Sequence, residues 1–120
     1  MFEGTYTALV TPFTEGGEVD YEALQALVDF QVDEGVSGIL AVGTTGESAT
    51  LNWQEHSLVI RRVAEYADDR CTVIAGTGSN NTAETMESTR EIEDCGADAI
   101  LLVEPYYNGP SSIEIRKEYM

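Results

Sequence analysis

The sequence predicts an α/β fold of four βα units, read either as half of a (βα)8 barrel or as a small open parallel sheet. Three observations carry this. Strand-like and helix-like segments alternate four times along 120 residues. The strand-like runs are nearly continuous in apolar residues, as a parallel sheet covered on both faces requires. The run Gly35-Val-Ser-Gly-Ile-Leu-Ala-Val42 also returns two units later as Gly96-Ala-Asp-Ala-Ile-Leu-Leu-Val103, as a repeated βα module would.

The first strand is expected over residues 5–11, where Pro12 stops it. Asp20 can cap the first helix, whose apolar stripe is Leu24, Leu27, Val28 and Val32. Gly35 ends that helix and the second strand follows over 36–42. Asn52 and Glu55 have capping-box spacing ahead of a second stripe, Val59, Ile60, Val63, Ala64 and Ala67. The third strand is expected over 72–75. Asn81 and Glu84 repeat the capping-box spacing before a weaker stripe of Ala83, Met86 and Ile92, and Gly96 closes the unit. The fourth strand spans 97–103 and stops at Pro105. Ser111 and Glu114 open a fourth helix near Ser112.

The charge is lopsided: 22 acids against 6 bases give a net −16, and Lys117 is the single lysine. Such a surface repels nucleic acid and anionic membranes, which excludes both as partners. It suits a high-salt cytoplasm, where screening relieves self-repulsion, although an acidic mesophile protein would carry a similar count. The N-terminal Met1-Phe2-Glu3-Gly4 has no basic region and no long apolar run, so no secretory signal is expected and the cytoplasm is the default. Cys71 heads a strand and Cys95 ends a helix. They read as buried free thiols, with a bond between them left open because both lie at the same end of a βα unit.

In parallel α/β folds the working groups sit in the loops after the strands' C-terminal ends. Here those loops are residues 11–13, 43–48, 76–80 and 104–108. In Gly43-Thr44-Thr45-Gly46-Glu47-Ser48 the glycines let backbone amides turn toward a small anion and the threonines add donors. A carboxylate or phosphate nest and a tight βα turn both account for that composition. It is no P-loop, because no Gly-Lys-Ser/Thr follows. Glu47 is a base, or it fixes the loop through backbone amides. Of Tyr106 and Tyr107, a phenol can relay a proton, or it can pack at an interface. His56, the only histidine, reads as surface or packing. With two distant cysteines it makes no zinc site, so no metal is expected, and no motif calls for a cofactor.

These pieces together resemble the dihydrodipicolinate synthase / N-acetylneuraminate lyase family. The matching stretches are Gly4 through Thr11-Pro12, the Val42-Gly-Thr-Thr-Gly-Glu-Ser-Ala-Thr-Leu51 block, Glu55-His56, Val73-Ile-Ala-Gly-Thr-Gly78 and Pro105-Tyr-Tyr-Asn108. They run the length of the chain, and the Gly-Thr-Thr-Gly-Glu block is highly specific. Thr44 favours the synthase branch, since the sialic-acid-lyase branch typically has serine there; some sugar-acid aldolases share the threonine pair.

The resemblance implies the first four βα units of a (βα)8 TIM barrel, with residues 1–120 as the N-terminal half of one domain. It implies a class I aldolase in which a lysine forms an imine with pyruvate. The imine is an electron sink that makes the pyruvate methyl carbon nucleophilic toward L-aspartate-4-semialdehyde, giving 4-hydroxy-tetrahydrodipicolinate on the route to diaminopimelate and lysine. Thr45 and Gly43 would hold the pyruvate carboxylate, and Thr44 would belong to a proton relay. Tyr107 matches the tyrosine lent across a subunit interface, which implies a homo-oligomer. The family also binds L-lysine as a feedback inhibitor at that interface, where Ser48, Ala49, His56, Asn80, Glu84 and Tyr106 match the contact positions. Trp53 matches an aromatic position of lysine-sensitive members.

One departure limits the resemblance. The family's Schiff-base lysine lies on a later strand, preceded by a tyrosine and an arginine, and Lys117 matches none of these. The 120 residues alone are therefore expected to be inactive, whether they are a truncated chain, a proteolytic piece or a deliberate half-barrel. Two rival readings stand beside the synthase: a 2-keto-3-deoxy-sugar-acid aldolase, and a non-catalytic binding or assembly half-barrel.

Overall fold

The computed structural model of the chain describes residues 2–120. Four strands, β1 (Tyr6–Ala8), β2 (Gly38–Ala41), β3 (Thr72–Gly76) and β4 (Ala99–Leu101), lie parallel in the order β1-β2-β3-β4. Between them run α1 (Tyr21–Asp33), α2 (Trp53–Ala67) and α3 (Thr82–Glu91). After β4 a short α4 (Ser112–Glu114) passes into a π-helical turn, Ile115–Tyr119. Each strand is added beside the one before it, always in the same direction. With crossovers of one hand, that order puts every helix on one face of the sheet, as in half of a (βα)8 barrel. The body measures 41 × 38 × 23 Å, a curved slab with one uncovered side.

The start signals act where the sequence places them, with one exception. The Asp20 carboxylate accepts from the Ala23 amide at 2.9 Å and opens α1. At α2 both halves of the capping box form, each at 3.0 Å between Asn52 and Glu55. Ser111 and Glu114 form a second box at α4. At α3, Asn81 caps through the Ala83 amide, but Glu84 does not return to Asn81. It turns to the Ser79 hydroxyl instead. Gly35 and Gly96 end their helical runs at φ +77° and +89°.

The core lies between the sheet and α1 and α2. Ile39, Ala41, Val73 and Ala75 point to the helices and are buried against Leu24, Val28, Val59, Ile60 and Val63. Leu40 and Ile74, in register with each other, point to the uncovered side and stay half-buried. The strands are shorter than their apolar runs, because loop bonds take over beyond the ladder. The apolar stripe expected on α3 holds at Ile92, which is buried in the core, and is corrected at Ala83 and Met86. Met86 is 48% exposed, and Thr85 and Ser88 are the buried residues. Their hydroxyls replace apolar packing: Thr85 accepts from the Ser79 amide at 2.9 Å, and Ser88 donates to the Thr77 carbonyl at 3.0 Å.

Cys71 and Cys95 are half-buried free thiols, and burial pushes the Cys71 thiol up from its ordinary value. Among the described residues no helix is long and apolar enough to cross a membrane.

Candidate functional site

The four predicted loops do converge at the C-terminal end of the sheet. Thr11, just past β1, is buried and donates its hydroxyl to the Gly46 carbonyl at 2.7 Å. That bond ties the loop after β1 to the loop after β2. The second loop is a chain of turns over residues 44–50, closed by Glu47 N–H to Thr44 carbonyl at 3.1 Å and Ser48 N–H to Gly43 carbonyl at 3.3 Å. Among the described residues, the amides of Thr44, Thr45 and Gly46 donate to no protein acceptor, and the Thr44 and Thr45 side chains make no hydrogen bond. Glu47 sits at φ +58°, and its carboxylate meets the Thr50 hydroxyl at 3.5 Å, not a backbone amide.

Beside this loop opens a cavity of about 680 Å³. The loop after β2 contributes Gly43, Thr44, Ser48 and Ala49, and the first turn of α2 contributes Trp53 and His56. Ser79, Asn80 and Glu84 form the wall after β3, and Glu104 and Tyr106 the wall after β4. The structure thus gathers Gly43 and Thr44 with all six residues matched to a lysine contact. Thr45 and Tyr107 do not line it. Thr45 is exposed on the same loop, and Tyr107 stands 102% exposed at φ +69°. Such a φ is uncommon for a tyrosine and marks a constrained turn.

The chemistry of the cavity is acidic. Glu84 and Glu104 line it, and among the described residues no Lys or Arg does. His56 is 3% exposed, with its ring 5.0 Å from the Trp53 ring. Burial lowers its pKa below the ordinary value, partly offset by Glu91. His56 is therefore a packed, neutral wall residue, the packing alternative of the two read from sequence.

Glu104 and Ser79 are cavity residues that lie in the loops the sequence selects but to which it assigns no role. Glu104 could have been found, since it is the first polar residue after an apolar strand run. The loop rule reaches Ser79, but not its role, which comes from a 3.0 Å bond to Glu84 that spacing does not announce.

The chain matches known proteins along its length. The family model described as the dihydrodipicolinate synthetase family matches residues 1–120. A 4-hydroxy-tetrahydrodipicolinate synthase of Methanococcus maripaludis strain C7 is 50% identical over 117 residues, covering 98% of this chain and 40% of that protein. The chloride-inhibited dihydrodipicolinate synthase of Acinetobacter baumannii, solved with pyruvate, superposes with a TM-score of 0.89 at 46% identity, over 92% of this chain and 38% of that one. The enzyme of Cyanidioschyzon merolae, solved with lysine bound, gives 0.90 at 45% identity, over 95% and 39%. The chain spans about two fifths of the length of the relatives it matches. On sequence and fold together, the chain belongs to the dihydrodipicolinate synthetase family.

Proposed function

We propose that these residues supply the pyruvate-holding loop and the interface side of a Schiff-base aldolase that condenses pyruvate with L-aspartate-4-semialdehyde. The observation that carries this is the loop after β2. Among the described residues, three amides and two threonine hydroxyls there have no protein partner, and a small carboxylate is the ligand they fit. The pyruvate bound in the Acinetobacter baumannii relative supports that ligand.

In this reading residues 1–120 are the N-terminal half of one barrel domain, and a lysine from a later strand attacks the pyruvate ketone. Water leaves as the imine forms, and loss of a methyl proton gives the enamine that attacks the aldehyde. Thr45 and Gly43 hold the carboxylate, and Thr44 passes protons. Tyr107, fully exposed on a constrained turn, reaches a neighbouring subunit's relay, so the working unit is a homo-oligomer. In this reading the enzyme works in the cytoplasm; among the described residues no helix is long and apolar enough to cross a membrane.

The cavity itself we assign to L-lysine as an inhibitor. Two carboxylates without a lining Lys or Arg favour a ligand that brings its own ammonium groups. The lysine bound in the Cyanidioschyzon merolae relative supports this.

The test is imine trapping. The complete polypeptide carrying these residues, incubated with pyruvate and then borohydride, should gain one pyruvate-derived adduct on a lysine other than Lys117. The 120-residue chain should gain none, because exposed Lys117 lies on the π-helical turn and does not line the cavity. An unmodified complete polypeptide would overturn the aldolase reading. Turnover with a sugar-acid aldehyde but not with L-aspartate-4-semialdehyde would move the assignment to a sugar-acid aldolase.

A further inference from the structure

We propose that Tyr119 is a positioning residue for the acidic wall of the cavity, acting through Ser79 and Thr85 on Glu84. The phenol oxygen lies 3.0 Å from the Ser79 carbonyl and 3.2 Å from the Thr85 hydroxyl. The Ser79 amide donates to that same Thr85 hydroxyl at 2.9 Å. The three bonds close a ring. Ser79 N–H donates to Thr85, Tyr119 donates to the Ser79 carbonyl, and the Thr85 hydroxyl, 3.2 Å from the phenol oxygen and 3.4 Å from the Ser79 carbonyl, then has its shorter acceptor in Tyr119. With that arrangement each hydroxyl gives its one proton and accepts another, and loss of the phenol leaves Thr85 only the longer contact to the Ser79 carbonyl.

The ring holds the wall. Ser79 and Thr85 are each 5% exposed, which leaves water poorly placed to replace the phenol. From this fixed point the Ser79 hydroxyl donates to the Glu84 carboxylate at 3.0 Å and accepts from the Asn81 amide at 3.2 Å. Ser79 and Glu84 line the cavity, with Asn80 between them in sequence. Asn108 adds a second tie, donating to the Asn80 carbonyl at 2.8 Å.

The π-helical turn explains how residue 119 reaches Ser79. An α-helical residue turns by about 100°, so the added residue of a π turn changes the face on which Tyr119 projects by a comparable angle. Tyr119 lies outside the cavity and acts on its ligand only through the ring.

The functional side of this inference rests on the reading of the cavity as a lysine site. The complete polypeptide is titrated calorimetrically with L-lysine in four forms: parent, Tyr119→Phe, Glu84→Gln and the double variant. Tyr119→Phe should weaken binding about fivefold, the worth of one neutral hydrogen bond. In the Glu84→Gln background it should cost nothing more. An equal loss in both backgrounds, or no loss in either, would overturn the positioning role. Amide exchange at Ser79 in the ligand-free protein separates the two readings. If the parent takes no lysine, the ligand assignment fails; faster Ser79 exchange in Tyr119→Phe then still upholds the ring, and unchanged exchange overturns it.

Discussion

The carbonyl oxygen of Val42 lies so close above Gly76 that a Cβ on residue 76 would occupy the same space. Val42 holds φ +54°, a left-handed conformation that β-branched residues seldom adopt. The two features share one cause. The chain leaving β2 must bend across the end of β3 to set the loop over the cavity, and only a residue without a side chain lets it pass. Gly76→Ala should therefore destabilise the fold by about 1–3 kcal/mol through overpacking. A urea midpoint equal to that of the parent would show that the Val42 crossing adjusts freely.

Thr44 is exposed on the cavity rim with no hydrogen bond of its own among the described residues, so its hydroxyl is available for a relay. In the complete polypeptide Thr44→Val should lower turnover by roughly 10²–10⁴, the usual range for a lost proton transfer. Parent-like turnover would remove Thr44 from the relay.

His56 gives stability a pH dependence whose sign is fixed. Its folded pKa is lowered, first by burial, so between the folded value and the unfolded value near 6.5 the unfolded chain binds more protons. The His56 contribution is thus fully present above the unfolded pKa and is lost as pH falls through that window to the folded value. His56→Gln should flatten the acid limb of a stability–pH curve. An imidazole that titrates by NMR at or above 6.5 would contradict the burial argument.

The net charge of −16 is met by few ion pairs. Among the described residues, Arg62–Glu65 at 2.6 Å and Arg70–Asp29 at 2.5 Å are the salt bridges, both on the exposed surface. Added salt has little pairing to weaken and much repulsion to screen. Melting temperature should rise between dilute buffer and molar KCl. A flat or falling curve would count against adaptation to high salt.

Strands β1 and β4 each keep one edge unpaired, and near them Val10 is 51%, Ile100 42% and Leu101 40% exposed. The 120-residue chain on its own should self-associate through these edges. Light scattering that finds a stable monomer at high concentration would refute this.

How much of this was legible in the sequence follows from the range of each interaction. The caps at Asp20, Asn52 and Ser111 involve residues three apart, and their spacing is visible in the string. The Glu84 assignment at α3 failed because a tertiary partner, Ser79, competes with the local one. The stripe on α3 holds at Ile92 but fails at Ala83 and Met86, because Thr85 and Ser88 are buried as hydrogen-bonded groups and hydropathy alone scores them as polar. In the site, Gly43, Thr44 and the cavity residues were readable through family resemblance and the rule that loops follow strand ends. The Thr11–Gly46 bond spans 35 positions and leaves no mark in local pattern. Tyr119 was invisible for a similar reason, since the π-helical turn that aims it has no recognised sequence signature.

The strand order β1-β2-β3-β4 sets a timetable as well as a shape. Every ladder joins a strand to its immediate predecessor in the chain, so no strand waits for a distant partner before it can pair. A chain emerging from the ribosome can dock each βα unit on the one already made, and the loop-closure cost is met in three modest steps. Val42 crosses Gly76 only after β3 has joined, and the cavity takes its final form later still, when the fourth unit brings Glu104, Tyr106 and the turn that carries Tyr119.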